Sequence, residues 1–347
     1  MPHLFSSLKL RHLLLRNRIM MSPMCMYCAQ EDGLATDWHL SHYTARALGG
    51  VGLILTEATA VESRGRISPY DLGLWCDDHI APLARMVEQV QRTGAAIGVQ
   101  LAHAGRKAWS RARGHGPEEP VAPSPLPHTD EWRTPHPLTI PEIEQIVGAW
   151  QAAAVRAETA GFDVVEIHGA HGYLNHEFLS PISNHRSDEY GGDLGGRMRF
   201  LLRVVEAVRE VWPEEKPLLV RLSATDWVED GLRVNDTVKI ARALRESGVD
   251  LVDCSTGGIS TTGPRDPGPG FQIPFAEAVR SGAGIATAAV GFITTPELAD
   301  ATVRNGHADL VALGRELLRH PHWPLDAART LGEEGPWPEQ YRRARQG

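Results

Sequence analysis

The chain repeats one unit eight times: a short apolar run, then a stretch with helical spacing. The runs are Arg18–Met21, Val51–Thr56, Ala96–Leu101, Asp163–Ile167, Pro217–Leu222, Leu251–Cys254, Ile285–Val290 and Leu310–Leu313. Continuous apolar runs suit strands covered on both faces, as in a parallel sheet. Between them, Ile80–Val90 places Leu83, Val87 and Val90 on one stripe. Ile143–Ala160 ends at Gly161, and Gly94, Gly248 and Gly306 stop other helices just before the next run. Eight β-then-α units in 347 residues predict an α/β protein, a single (β/α)8 TIM barrel spanning 1–347. A doubly wound open sheet would more often carry Gly-x-Gly-x-x-Gly after its first strand, where this chain has Ser22-Pro-Met-Cys25. The segment from Ser110 to Thr139, rich in Pro and Gly, is expected as an excursion loop after strand three, over the barrel mouth. Residues 331–347, stiffened by Pro336 and Pro338, are expected to form an extended C-terminal arm that does not fold back as a helix.

Composition narrows the partners. A net charge of -8 argues against nucleic acid, whose phosphates call for a basic excess. Apolar stretches such as Val51–Leu55 are too short to span a bilayer, so no membrane is expected. The start, Met1 to Leu8, does not read as a signal peptide, and a cytoplasmic location is expected. Four cysteines make no disulfide framework. Cys25-x-x-Cys28 invites a zinc or redox reading, but a structural zinc takes about four ligands and no second Cys pair exists. Cys76 and Cys254 read as small buried apolar residues.

Barrel enzymes keep their chemistry at the C-terminal ends of the strands. Here the unusual residues gather at those ends: Ser22 to Tyr27, Glu57 to Ala60, Gln100 with His103 and Lys107, Arg221, Cys254 to Gly258, Gly291, and Gly314-Arg315. Strand four delivers His168-Gly-Ala-His171-Gly-Tyr173. Two imidazoles can donate to an oxyanion and a phenol can give up a proton, which suggests polarising a carbonyl and protonating nearby. On those six residues alone, metal ligation or plain packing of the loop is an equal alternative. Gly291, Gly314 and Arg315 have the makings of a phosphate site, with backbone N–H groups and a charge. Gln100 can read a heterocyclic amide edge, and Arg221 supplies a permanent positive charge. Phosphate, ring and a place for negative charge together suggest flavin mononucleotide (FMN), with any second nucleotide visiting the same mouth.

The motifs resemble the Old Yellow Enzyme family of FMN-dependent ene-reductases, in its thermophilic-like branch of NADPH dehydrogenases. The likeness rests on Leu15-Arg-Asn-Arg-Ile19, Ser22-Pro-Met-Cys-Met-Tyr27, Gly65-Arg-Ile67, Gln100 to Lys107, Gly161 to His168 and His171 to Pro181. It continues through Asp188-Glu-Tyr-Gly-Gly192 and Gly314-Arg-Glu-Leu-Leu318, over nearly the whole chain. The resemblance implies that Ser22, Pro23, Met24 and Cys25 line the flavin. Ala58 and Gln100 would contact its rings, Arg221 its N1/O2 edge, and Gly314 and Arg315 its phosphate. His168 and His171 would bind the substrate carbonyl oxygen, Tyr173 would donate the proton and Tyr27 would touch the substrate. Cys25 resembles the residue that tunes flavin potential in this branch. Gln340-Tyr341-x-Arg343 resembles a terminal motif that enters a neighbouring subunit's site, which implies a homodimer or homotetramer with Arg343 as a substrate-binding residue. NADPH would be the hydride donor, with NADH as the alternative, and the acceptors would be enone- or enal-type small molecules. Hydride would reach the β-carbon, and Tyr173 would protonate the α-carbon.

Two departures matter. The segment Trp109 to His136 is long and of unfamiliar pattern, and the chain lacks the Cys run of relatives that carry an iron–sulfur cluster for dienoyl-CoA reduction. Two rival readings stand beside this one: a flavin-free barrel aldolase or isomerase, and a flavin-binding redox sensor using Cys25 and Cys28. A Schiff-base aldolase wants a Lys at a strand end, and none of the eight runs ends in one.

Overall fold

A computed structural model describes residues 3–108 and 119–345. Eight strands close into a parallel barrel, each paired with its neighbours in chain order and the sixth with the fifth. They are β1 (Ile19–Met21), β2 (Leu53–Ala60), β3 (Ala96–Ala102), β4 (Val164–Gly169), β5 (Leu218–Ser223), β6 (Leu251–Ser255), β7 (Ala286–Ala289) and β8 (Leu310–Leu313). The outer helices are α1 (Asp37–Leu48), α2 (Ile80–Gln91) and α3 (Ile140–Thr159). After β4 come the short α4 (Leu174–Leu179) and then α5 (Leu194–Val211). The ring is completed by α6 (Val234–Glu246), α7 (Ile273–Ala283), α8 (Pro296–Arg304), α9 (Arg315–Arg319) and α10 (Trp323–Leu331). The expected TIM barrel is therefore the fold. The glycines expected to stop helices do so: Gly94, Gly161, Gly248 and Gly306 all have left-handed φ.

Successive strand residues face opposite sides, which builds two cores from one strand. Outward residues such as Ile54, Ile97, Val165 and Val220 pack under the helices. Inward residues Met20, Leu53, Val164, Leu219, Leu251 and Leu310 fill the lower barrel. Higher up the same inward positions turn polar: Gln100, Glu166 and His168, Arg221, Asp253 and Ser255, all buried. The change along one face divides a packed floor from a chemical mouth.

Three features were not expected from sequence, or were expected differently. An antiparallel hairpin, Leu8–Leu10 with Leu13–Leu15, lies under the barrel and packs Leu10 and Leu15 against the inner cluster. Arg11 at its turn ties it to Asp250 with hydrogen bonds of 2.7 and 2.8 Å. Strand β2 runs to Ala60, not Thr56, because its register shifts between Leu55 and Ala58. Such a bulge re-aims side chains. The third is the tail. Its prolines were expected to keep it extended, yet Glu339–Arg345 is a 3-10 turn. Proline φ is compatible with the first turn of a helix, and the Pro338 carbonyl accepts Tyr341 N–H at 2.9 Å. Tyr341 meets the His322 ring edge-on at 6.1 Å, and Arg345 pairs with Glu334.

Of the excursion after β3, residues 109–118 lie outside the described residues, so Gly114 to Pro117 do too. The rest is folded: Val121–Ala122 pairs with His136–Pro137, and Arg106 donates to the Leu126 carbonyl at 3.1 Å. Among the described residues no helix is long and apolar enough to cross a membrane.

Candidate active site

Left-handed backbone at residues bearing side chains is uncommon and gathers at functional sites. Tyr27 (φ 56), His171 (φ 59), Trp227 (φ 61) and Phe292 (φ 51) carry it here, following β1, β4, β5 and β7. Four strand ends thus hold disfavoured geometry at one face of the barrel.

His168 is buried at the top of β4, and its Nδ1 accepts the Ala170 N–H at 3.2 Å. The neutral ring therefore carries its proton on Nε2, which has no partner among the described residues. The His171 ring lies edge-on to it at 5.2 Å, and the Tyr173 ring at 5.0 Å. His171 Nε2 shares a 2.7 Å hydrogen bond with Ser255 Oγ, so one imidazole presents a free N–H and the other is held. Burial, then the positive charge of Arg221, pushes both imidazoles well below their ordinary range. Both rings are neutral, not cationic. Burial pushes the Tyr173 phenol well up, with Cys25 and Tyr27 adding to it, so the O–H keeps its proton. Lys107 Nζ stands 5.1 Å from the centre of the Tyr173 ring and donates to the carbonyls of His171 at 2.9 Å and Gly258 at 3.2 Å.

Cys25, Tyr27 and Tyr173 pack on one apolar patch with Ala58, Ile67 and Ala102. Cys25 keeps part of its surface exposed, but burial of its sulfur pushes the thiol well up, and Asp71 and Glu57 push the same way. Reactive cysteines need the opposite environment. All four cysteines are free thiols.

One level deeper, Gln100 Nε2 donates to Glu166 Oε1 at 2.7 Å. Arg221 Nε lies 3.0 Å from Asp253 Oδ2, an ion pair without hydrogen-bond alignment. Burial and the charge of Asp253 push Glu166 up to about 8, against the pull of Arg221 and Gln100. Two carboxylates and one guanidinium share this layer, and one carboxyl answers by keeping its proton.

A cavity of about 320 Å³ runs from Arg221 and Ser255 to Gly291, Phe292, Gly314 and Arg315. Gly291 has φ +115, and a Cβ there would lie 3.1 Å from the Gln272 backbone nitrogen. A Cβ on Gly314 would point toward Met24 Sδ at 3.5 Å and narrow the gap between β8 and the loop after β1. Arg315 stacks 4.6 Å over Phe292 and has no carboxylate partner among the described residues. The buried Ser22 Oγ also lacks a partner among the described residues. A glycine cradle, an uncommitted Arg, an orphaned hydroxyl and a deep cation suit a phosphate with a polar heterocycle beyond it, so these residues fit FMN.

The structure thus brings Ser22, Pro23, Met24, Cys25, Tyr27, Ala58, Gln100, His168, His171, Tyr173, Arg221, Gly291, Gly314 and Arg315 to one end of the barrel. Arg343 is exposed on the tail and does not join them within its own chain. Sequence reasoning gave no role to Glu166, Asp253, Ser223 or Ser255. Their signal was strand parity, because each lies two residues from an inward polar position of its own strand.

Residues 3–334 match the NADH:flavin oxidoreductase / NADH oxidase family. A protein named NADPH dehydrogenase from Listeria innocua is 50% identical over 345 residues, 99% of each chain. One of the same name from Geobacillus thermodenitrificans is 53% identical over 341 residues, 98% of each. Among solved structures, the old yellow enzyme homologue from Zymomonas mobilis has TM-score 0.83 at 29% identity, covering 97% of this chain and 96% of its own. Morphinone reductase has TM-score 0.81 at 30% identity, covering 96% and 91%.

Proposed function

Since this chain belongs to the NADH:flavin oxidoreductase / NADH oxidase family and is an oxidoreductase, we propose that it is an FMN-dependent NADPH dehydrogenase acting as an ene-reductase. The observation that carries this reading is the cavity joining Arg315, Gly314 and Gly291 to Arg221 and Ser255, with Ser255 bonded to His171. The names of the similar dehydrogenases favour NADPH, with NADH as the alternative donor. Bound FMN would supply the hydride chemistry, between a nicotinamide and the β-carbon of an α,β-unsaturated carbonyl compound.

The chain's own residues do the rest. Ser22, Pro23, Met24 and Cys25 line one side of the cofactor site, with Ala58 and Gln100 against the rings. Arg315 and the N–H groups at Gly291 and Gly314 hold the phosphate. Arg221 places a fixed positive charge where negative charge gathers, and Asp253 holds the guanidinium in position. The substrate oxygen takes the free Nε2–H of His168, and that of His171 by exchange with Ser255. Both donors draw electron density from the alkene. Tyr173 gives its proton to the α-carbon, and the Lys107 ammonium over its ring steadies the phenolate left behind. Tyr27 and the apolar patch around Cys25 keep water from the reacting carbons.

The test is direct. The purified protein should be yellow, NADPH should bleach it without oxygen, and cyclohexenone should restore the colour faster than buffer does. A colourless protein or an inert enone would sink the reading. The alternative of a sensor built on Cys25 and Cys28 has against it the environment that keeps the Cys25 thiol protonated.

A further inference from the structure

Behind the loop that carries His171 and Tyr173 lies a pair of polar side chains that the proposed reaction does not use. His176 on α4 and Asp226 after β5 are both fully buried. His176 Nε2 and Asp226 Oδ1 are 2.8 Å apart, and the Gly172 N–H donates to His176 Nδ1 at 2.9 Å. An accepting Nδ1 places the ring proton on Nε2, where it donates to the carboxylate. Asp226 is fixed in turn. Its second oxygen accepts from Ser180 Oγ at 2.7 Å and Leu232 N–H at 2.8 Å, and its own N–H donates to the Leu232 carbonyl at 3.0 Å. An unbroken chain of hydrogen bonds therefore leads from the loop after β5 to a single backbone amide.

That amide stands at a strained place. His171 and Gly172 are consecutive left-handed residues, with φ 59 and 74. A Cβ on Gly172 would lie 2.2 Å from the Gly258 carbonyl oxygen, so this segment is pressed against the loop after β6. The flanks are held from the mouth side: His171 N–H donates to Ser223 Oγ at 3.0 Å, Lys107 Nζ to the His171 carbonyl at 2.9 Å, and Leu174 N–H to the His103 carbonyl at 3.0 Å. The bond to His176 holds the middle from behind. Without it, a disfavoured two-residue conformation between a substrate-binding imidazole and a proton donor loses its central anchor.

We propose that Asp226 and His176 form a positioning dyad: His176 Nδ1 holds the Gly172 amide, Asp226 holds the ring, and His171 and Tyr173 keep their places relative to His168. The inference rests on the enone-reductase reading for its effect on substrate, but its effect on the backbone does not. The dyad touches no reacting atom.

Flavin-loaded full-length protein serves for the test, with variants His176→Leu, His176→Asn and Asp226→Asn. Asn can present its amide oxygen to Gly172 but does not reach Asp226. The first readout is amide hydrogen exchange in the segment 170–175, followed by mass spectrometry. The second is the Kd of cyclohexanone, a ketone that cannot be reduced at an alkene, read from the visible spectrum. Misplacing a binding group raises Kd steeply, so His176→Leu should speed exchange and raise both Kd and the KM for cyclohexenone about tenfold, with reoxidation by oxygen changed less than about twofold. His176→Asn should recover most of the loss and Asp226→Asn should fall between. Unchanged exchange and ketone binding in His176→Leu would overturn the proposal, as would an Asn variant as impaired as the Leu variant. If His176→Leu does not fold, Asp226→Asn, which keeps the shape, decides by the same two measurements. A wild type that ignores ketones and enones refutes the enone reading, while the exchange result still judges the dyad.

Discussion

Gln100 and Glu166, on neighbouring strands, share a hydrogen bond of 2.7 Å that leaves Glu166 Oε2 buried and unpaired among the described residues. Burial and the charge of Asp253 push the carboxyl from 4.5 up to about 8. A folded pKa above the unfolded one means that the native state holds the extra proton between those values. This contribution to stability is whole below about 4.5 and is lost as pH rises through about 8. Glu166→Gln keeps the shape and removes the titration. Its thermal midpoint should match wild type near pH 4 and exceed it by a few degrees above pH 8, since about 1 kcal/mol moves the midpoint of a chain this long by roughly 1–2 °C. Melting curves that stay parallel across that range would refute the assignment.

His168 presents a free N–H, and His171 Nε2 shares a hydrogen bond with Ser255 Oγ. Replacing either by Ala should slow reoxidation of the reduced enzyme by an enone by up to about 10²–10³, the scale for losing one preorganised donor to an oxyanion. Oxygen needs neither donor, so its reaction should change far less. Stopped-flow traces with the two oxidants separate these cases, and equal slowing by both would remove the substrate-binding role.

Cys25 packs beside Tyr27, Tyr173 and Ala58 as a protonated thiol. Cys25→Ala should keep FMN bound yet move its midpoint potential by about 30 mV, the two-electron equivalent of about 1.4 kcal/mol. Redox titration with a reference dye measures it. An unmoved potential together with unmoved enone kinetics would leave Cys25 a packing residue.

The tail offers Trp337, Tyr341 and Arg343, residue types that anchor interfaces. Arg343 stands exposed on its 3-10 turn, which suits a reach into the mouth of another copy in a homodimer or homotetramer. Truncation after Trp337 should raise the KM for enones and lower the mass in solution. Wild-type kinetics at unchanged mass would make the tail a terminus only.

The barrel was legible because its strands are buried on both faces and so read as short apolar runs bounded by helix-stopping glycines. The mouth was legible where a residue type is costly elsewhere, as with Arg221 inside a strand or the His168 and His171 pair. Strand parity carried the rest, and it shows only once a register is known. Glu166 and Asp253 look like ordinary strand residues until Val164 and Leu251 are seen to face inward. The Leu55 to Ala58 bulge hid the true end of β2, since one extra residue reverses which side chains face the mouth. The hairpin at Leu8–Leu15 was too short to signal itself. Thr139 with Glu142 was a readable capping box, and it starts α3 three residues earlier than apolar spacing alone suggested.

That hairpin has a kinetic consequence. With Leu10 and Leu15 packed beneath Met20, Leu53 and Leu219, the cylinder is blind at its lower end. In the proposed reaction donor and acceptor then share the upper opening, and the donor leaves before the acceptor takes the place it vacated. Double-reciprocal plots for the two reagents should therefore run parallel rather than intersect, and a large excess of enone should inhibit by obstructing the nicotinamide. On the proposed reaction, a sealed floor thus means turn-taking at the mouth above it.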